Sequence, residues 1–333
     1  MLKRSFLYMM TMILFTLWGC THEDTEDCVQ GVRLHFTHLL NNQNANLFGA
    51  KVSMVSVYVF DKDGLYLDTY TSKGIKLTND YVMSLPLKPG TYSFVTLGGD
   101  LLTYEVGELI DSEKHIFNPG LVVGKSHIER FAFLLDSGDP GASKKYVTIS
   151  HRLSHLFHGI LDSLSVPRGK ITDATIDLIQ DTKQINVNIV GYDNLNNFTK
   201  ADFNDKLDTY VLSNNGRYKH DNTIDKYARA LKYEFSNYSL SNDTLKTDII
   251  KLRLMNDNDE SRLKLDVINF ATLFDQHMVS MIKKNPKYKK QQDFDREDLF
   301  VFDIRIQPDL SVTVKVNGWT ISDVTPVSEN SNK

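Results

Sequence analysis

Val57-Tyr-Val-Phe-Asp-Lys-Asp-Gly64 is the stretch on which the fold turns. Its β-branched and aromatic residues run into Asp-Gly, and a run of similar character resumes from Leu65 to Tyr70. Two such runs around Asp-Gly predict a β-hairpin, because glycine accepts the positive φ that a tight turn imposes. Asp61 and Asp63 also have the spacing of the first ligands in a calcium loop. The later ligands, including the glutamate at the twelfth position, are missing, so the turn reading holds.

Working outward, the same strand signal recurs. Before the hairpin, Val32, Leu34 and Phe36 alternate with Arg33, His35 and Thr37, the period of a strand with one buried face. After it, Tyr81 to Leu87 and Thr91 to Gly98 flank Lys88-Pro89-Gly90, in which proline fixes φ and glycine takes the left-handed position. Arg130 to Asp136, Tyr146 to Ser150, Ile160 to Val166 and Thr172 to Ile179 follow at short intervals, while residues 99–120 show no clear period. A second region begins with Ile185-Asn-Val-Asn-Ile189. It continues through Tyr210 to Leu212, Ala230 to Ser236, Ile249 to Leu254, Leu263 to Val267, Leu299 to Ile306 and the alternating Val312, Val314 and Val316. One helix is predicted over 270–284, where Phe270, Phe274, Met278, Met281 and Ile282 share a face and Asn285-Pro286 ends it. Many short strands separated by Gly, Asn and Asp define an all-β fold of sandwich type with one short helix.

Composition agrees and narrows the function. The chain has 333 residues, 15 Tyr, 18 Phe and 11% aromatics, a balance that favours strands. Lys and Arg total 38 against 42 Asp and Glu, with the signs intermixed, which argues against nucleic acid as a partner. Two cysteines are present, Cys20 and Cys28.

The N-terminus carries its own signal. Lys3-Arg4-Ser5 precedes a mostly apolar run from Phe6 to Trp18, which ends at Gly19-Cys20. A basic start, a short apolar run and a small residue before cysteine make residues 1–19 a lipoprotein signal peptide and Cys20 the lipidated residue. An uncleaved membrane helix is the alternative, but the run is short for a span. Residues 20–28 then form an acidic tether, and Cys28 has no intramolecular partner once Cys20 is acylated. What remains is long enough for two domains, expected at 29–181 and 182–327, with a polar tail at 328–333.

Motifs that carry chemistry are weak. His151, His155 and His158 would share a helical face, but in strand surroundings 155 and 158 point to opposite sides, and no HExxH glutamate accompanies them. Gly120 to Ser126 has one residue too few between its glycines for a phosphate loop. Ser280-Met-Ile-Lys283 fits the permissive SxxK pattern without its companion motifs. No nucleophile, general acid or general base is nominated, and no metal or cofactor is expected. A hydrolase is therefore the weakest of the functions considered.

Taken together, Cys20 with the acidic run to Cys28, the Val32 to Phe36 strand, the Val57 to Gly64 hairpin, Leu87-Lys-Pro-Gly-Thr-Tyr-Ser-Phe94, His158-Gly-Ile-Leu161 and Val314-Lys-Val-Asn-Gly-Trp319 resemble the FimB/Mfa-type fimbrial anchor and minor subunits of Bacteroidales. The resemblance spans nearly the whole chain. It implies an outer-membrane, surface-exposed lipoprotein of two tandem transthyretin-like β-sandwich domains, non-catalytic, that anchors a fimbria. Within it, Glu23, Asp24, Glu26 and Asp27 resemble a surface-export signal. The strand of Val32, Leu34 and Phe36 is expected to be retained by its own domain. Val312 to Val327, with Val312, Val314, Val316 and Trp319, is the candidate donor strand for a fimbrial stalk subunit by β-strand addition. The alternative is that this strand completes its own sheet. A surface lipoprotein that binds glycan or another soluble ligand is the second functional reading.

Overall fold

The structure, a computed structural model, describes residues 30–321 apart from 73, 136–145, 196–205, 236–237, 258 and 269–270. The predicted lipidation residue Cys20, the acidic run Glu23, Asp24, Glu26 and Asp27, Cys28, Phe270, and Ser322 to Val327 of the candidate donor segment lie outside the described residues.

In chain order the first half contains β1 (Gly31–Thr37), β2 (Val55–Phe60), β3 (Tyr66–Thr71), β4 (Val82–Leu85), β5 (Gly90–Gly99), β6 (Tyr104–Asp111), β7 (Ile116–Pro119), β8 (Phe131–Leu135), β9 (Val147–Ile149), β10 (Leu156–Val166), β11 (Ile171–Asp177) and β12 (Ile179–Gln180). The second half contains β13 (Thr182–Val190), β14 (Leu207–Ser213), β15 (Arg217–Lys219), β16 (Leu231–Glu234), β17 (Ser239–Ser241), β18 (Thr244–Leu252), β19 (Arg262–Val267), β20 (Ala271–His277), β21 (Leu299–Ile306), β22 (Val312–Val316) and β23 (Trp319–Ile321). Among the described residues, three short α-helices accompany them: α1 (Phe48–Lys51), α2 (Met278–Lys283) and α3 (Gln291–Arg296).

The Asp-Gly hairpin is present as β2 and β3, paired antiparallel. Asp61 makes its turn, accepting hydrogen bonds from the backbone N–H groups of Asp63 and Leu65 at 2.9 Å each. One sheet, in the order β12-β10-β5-β2-β3, shares a core with a second, β11-β1-β4. Val57, Val59 and Phe94 from the first meet Val32, Leu34 and Phe36 from the second. Burying a side chain of this size stabilises by about 2 kcal/mol, so the alternation itself selects which face turns inward. Gly159 of β10 lets the two layers approach, since a Cβ there would lie 2.6 Å from the Ile176 side chain of β11.

The second half builds a six-stranded sheet, β17-β18-β13-β21-β22-β23, and a five-stranded sheet, β20-β19-β14-β16-β9, over another core. Ile185, Val187 and Ile189 of β13, Phe300, Phe302 and Ile304 of β21, and Leu263 and Leu265 of β19 fill it. A four-stranded sheet, β15-β8-β6-β7, accounts for residues 99–120, whose period was unclear. The pairing crosses residue 181 twice: β9 joins β16 in parallel, and β15 joins β8 antiparallel.

One element differs from expectation. Instead of a helix over 270–284, Ala271–His277 is strand β20 against β19, and only Met278–Lys283 is helical. The apolar spacing of Phe274, Met278, Met281 and Ile282 fits a helix, but a register shift in the β19–β20 ladder lets consecutive Leu273 and Phe274 both turn inward. Tertiary pairing thus overrides the helical period until His277 caps α2 by accepting from Ser280 N–H.

Candidate assembly site at the chain ends

β1 is held on both sides, parallel to β11 and antiparallel to β4. Val32, Leu34 and Phe36 are buried, and Phe36 stacks on Phe48 with ring centroids 5.5 Å apart. The outer face carries the polar set: Arg33 Nη2 donates to Asp173 at 2.7 Å, His35 lies 3.2 Å from the same carboxylate, and Thr37 donates to Asp177 at 2.8 Å. The hydrogen bond from Arg33 holds the Asp173 carboxyl below its ordinary range. These pairs are exposed and contribute little to stability, so the buried face fixes the strand.

At the other end, β22 lies between β21 and β23, with Val312, Val314 and Val316 buried. Asn317 and Gly318 both have positive φ and form the two-residue turn into β23, the edge strand of its sheet. Asn317 is held by its side chain, which accepts from Val301 N–H at 2.7 Å and donates to the Tyr288 hydroxyl at 2.8 Å. Trp319 is 45% exposed on this edge.

The weaker motifs are used structurally. His158 is buried in β10, stacked on Phe133, with its Nε2–H donating to the His220 carbonyl at 2.8 Å. His155 contacts Thr182 Oγ1 at 3.1 Å, whereas His151 is exposed. Among the described residues, no group of three His, Cys, Asp or Glu side chains is arranged to hold a metal. In the Gly120 to Ser126 loop, the Ser126 hydroxyl accepts from Val122 N–H at 2.8 Å. Ser280 contacts His277, and Lys283 donates to the Asn256 carbonyl at 3.3 Å, so that serine and lysine serve different partners.

Sequence reasoning missed a charged junction between the halves. Gln180, Asp181, Thr182 and Lys183 are each 0% exposed. Arg253 grips Asp295 with Nε at 2.7 Å and Nη2 at 2.6 Å, and its Nη1 donates to the Asn222 carbonyl at 3.2 Å. Asn222 in turn donates to Asp181 at 2.9 Å, and Lys183 donates to the Asp295 carbonyl at 2.8 Å. Burial pushes the Asp181 carboxyl up to about 6 against the pull of Arg253, and pushes Lys183 down to about 8. Desolvation wins in both cases because the partner charges are shared among several groups. A signal was present: Lys183 falls on the inward parity of Ile185, Val187 and Ile189, and a lysine there needs a buried partner.

The architecture is that of the β-sandwich proteins of bacterial fimbriae and adhesins. Residues 24–325 match the family described as fimbrillin-A associated anchor proteins Mfa1 and Mfa2, and the chain belongs to that family. Several solved structures share the fold, three of them as follows. A candidate polysaccharide-binding protein of Bacteroides thetaiotaomicron has a TM-score of 0.72 at 24% identity, over 90% of this chain and 99% of its own. A candidate adhesin of the same organism has a TM-score of 0.69 at 20% identity, over 88% and 98%. The fimbrial anchor protein Mfa2 of Porphyromonas gingivalis has a TM-score of 0.67 at 17% identity, over 87% and 98%. No curated protein sequence matches the chain. Family membership associates the protein with fimbriae at the cell surface.

Proposed function

We propose that the protein is a non-catalytic fimbrial subunit, held in the outer membrane by acyl chains on Cys20 and joined to a stalk subunit by β-strand addition. The observation that carries this reading is the position of β1, bonded on both sides and separated from Cys20 only by residues 21–30. A sandwich that keeps its first strand has that place filled, so fibre growth ends there and the lipidated terminus fixes the fibre. Glu23, Asp24, Glu26 and Asp27 direct the lipoprotein to the outer face of the membrane. Residues 29–181 form the membrane-side domain and 182–327 the stalk-side domain. Because β22 is already paired on both sides, the part of Val312 to Val327 offered to the stalk is its outer end, from Trp319 onward.

Two experiments test this reading. Deleting residues 320–333 is expected to release fimbriae from cells while the lipoprotein stays folded, and unchanged attachment would overturn the assignment. Cys20→Ala is expected to give a soluble protein, and continued fractionation with membranes would refute lipid anchoring, since a stable hold requires more than one acyl chain. A second reading, glycan binding, is favoured by the description of one structural relative as a candidate polysaccharide-binding protein. A glycan array with the purified chain tests it directly.

A further inference from the structure

The chain enters β1 between two turns at one end of the first sandwich. Gly31 N–H donates to the Lys170 carbonyl at 3.3 Å, and Gly169 N–H donates to the Gln30 side chain at 3.4 Å. On the other side, a Cβ on Gly31 would lie 2.2 Å from the Leu85 carbonyl and 3.3 Å from Leu87 N, just before Lys88-Pro89-Gly90. The β5–β10 ladder ends at this same place, with Gly90 opposite Val166. Lys88, Arg168 and Lys170 therefore surround the point of entry, all exposed, and neither turn contains an acidic residue. Ile171, 39% exposed, adds an apolar side chain beside them. Nearby on β11, Asp173 is engaged by Arg33 and His35.

We propose that this basic end of the sandwich docks on the phosphate groups of the membrane lipids beneath it. The inference rests on the lipid-anchor reading, because residues 21–30 reach at most about 35 Å when fully extended and so keep this end close to the bilayer that holds Cys20. Lysine and arginine within a Debye length of an anionic surface are attracted to it, while Ile171 meets the interfacial region. Docking would hold the sandwich upright over its anchor instead of leaving it to pivot on the tether. The acidic residues 23–27 are the competing occupant of the same basic turns.

The test uses residues 20–333 carrying Cys20→Ala, so that neither acylation nor the apolar run Phe6 to Trp18 plays a part, and vesicles of phosphatidylcholine with or without phosphatidylglycerol. Binding is expected only with phosphatidylglycerol and is expected to weaken as salt is added. Each basic residue at an anionic surface contributes about fivefold in affinity, so Lys88→Glu with Lys170→Glu is expected to reduce binding by at least about 25-fold. Lys88→Ala with Lys170→Ala provides a milder variant, and circular dichroism confirms folding of both. Equal binding to both vesicles, or full binding by the variants, overturns the proposal. Binding that emerges only when Glu23, Asp24, Glu26 and Asp27 are neutralised assigns the basic turns to the tether and also overturns it. Fractionation of the native protein against Cys20→Ala reports on the lipid anchor separately.

Discussion

His158 shows how one buried ring couples stability to pH. Burial lowers its folded-state value to about 4 from an ordinary value of 6.5, so the native protein keeps it neutral where the unfolded chain takes a proton. Its contribution is complete above pH 6.5 and is lost as pH falls towards 4, amounting to about 3 kcal/mol. Asp181, raised to about 6, works in the opposite direction over an overlapping range, with stability lost as pH rises from about 4 to 6. The informative measurement is therefore the difference between the wild type and His158→Gln in urea unfolding across pH 4 to 7, and the variant is expected to lose the acid-induced component. Lys251 gives a second case. It faces Lys183 across the β13–β18 ladder, and burial lowers it to about 8. Stability is expected to rise between pH 8 and 10.5 as buried lysines lose their protons before the unfolded chain does. Lys251→Met should reduce that rise and be neutral or stabilising at pH 7, by up to a few kcal/mol. The histidines were visible in the sequence as a cluster, yet only the surrounding sheets determine that His158 is buried and His151 is not.

At the scale of elements, β1 separates its two faces cleanly. Leu34→Ala removes a fully buried side chain and is expected to cost about 2 to 5 kcal/mol in denaturant unfolding. Arg33→Ala breaks only an exposed pair and is expected to leave the denaturant midpoint almost unchanged. Gly159→Val would force β10 and β11 apart, with an expected loss of about 1 to 3 kcal/mol by the same measurement. The strands β1, β13, β21 and β22 alternate with period two, and β2 was legible from its β-branched and aromatic residues running into Asp-Gly. β20 was not, because a register shift breaks its alternation and leaves a pattern compatible with a helix. The same ambiguity surrounded the closing valines, whose alternation is identical in either sheet, while their pairing with β21 and β23 depends on distant residues.

For the whole molecule, the junction is the decisive feature. Arg253→Met would leave Asp295 and Asp181 without their buried counter-charge, with an expected cost of about 3 to 5 kcal/mol. Calorimetry is expected to show a single transition for both proteins, at a lower temperature in the variant, because β9 and β15 still pair across residue 181 when the network is broken. By itself, the sequence determined the all-β class and the inward faces of most strands, since period-two alternation is a local property of the chain. It also determined the resemblance that family membership now supports. Only the tertiary structure decided that β9 and β15 cross between the halves, that β1 lies in parallel beside β11, and that Lys183 meets Asp295. Those features join residues far apart in sequence, and the choice among such pairings depends on packing and desolvation that no local pattern encodes.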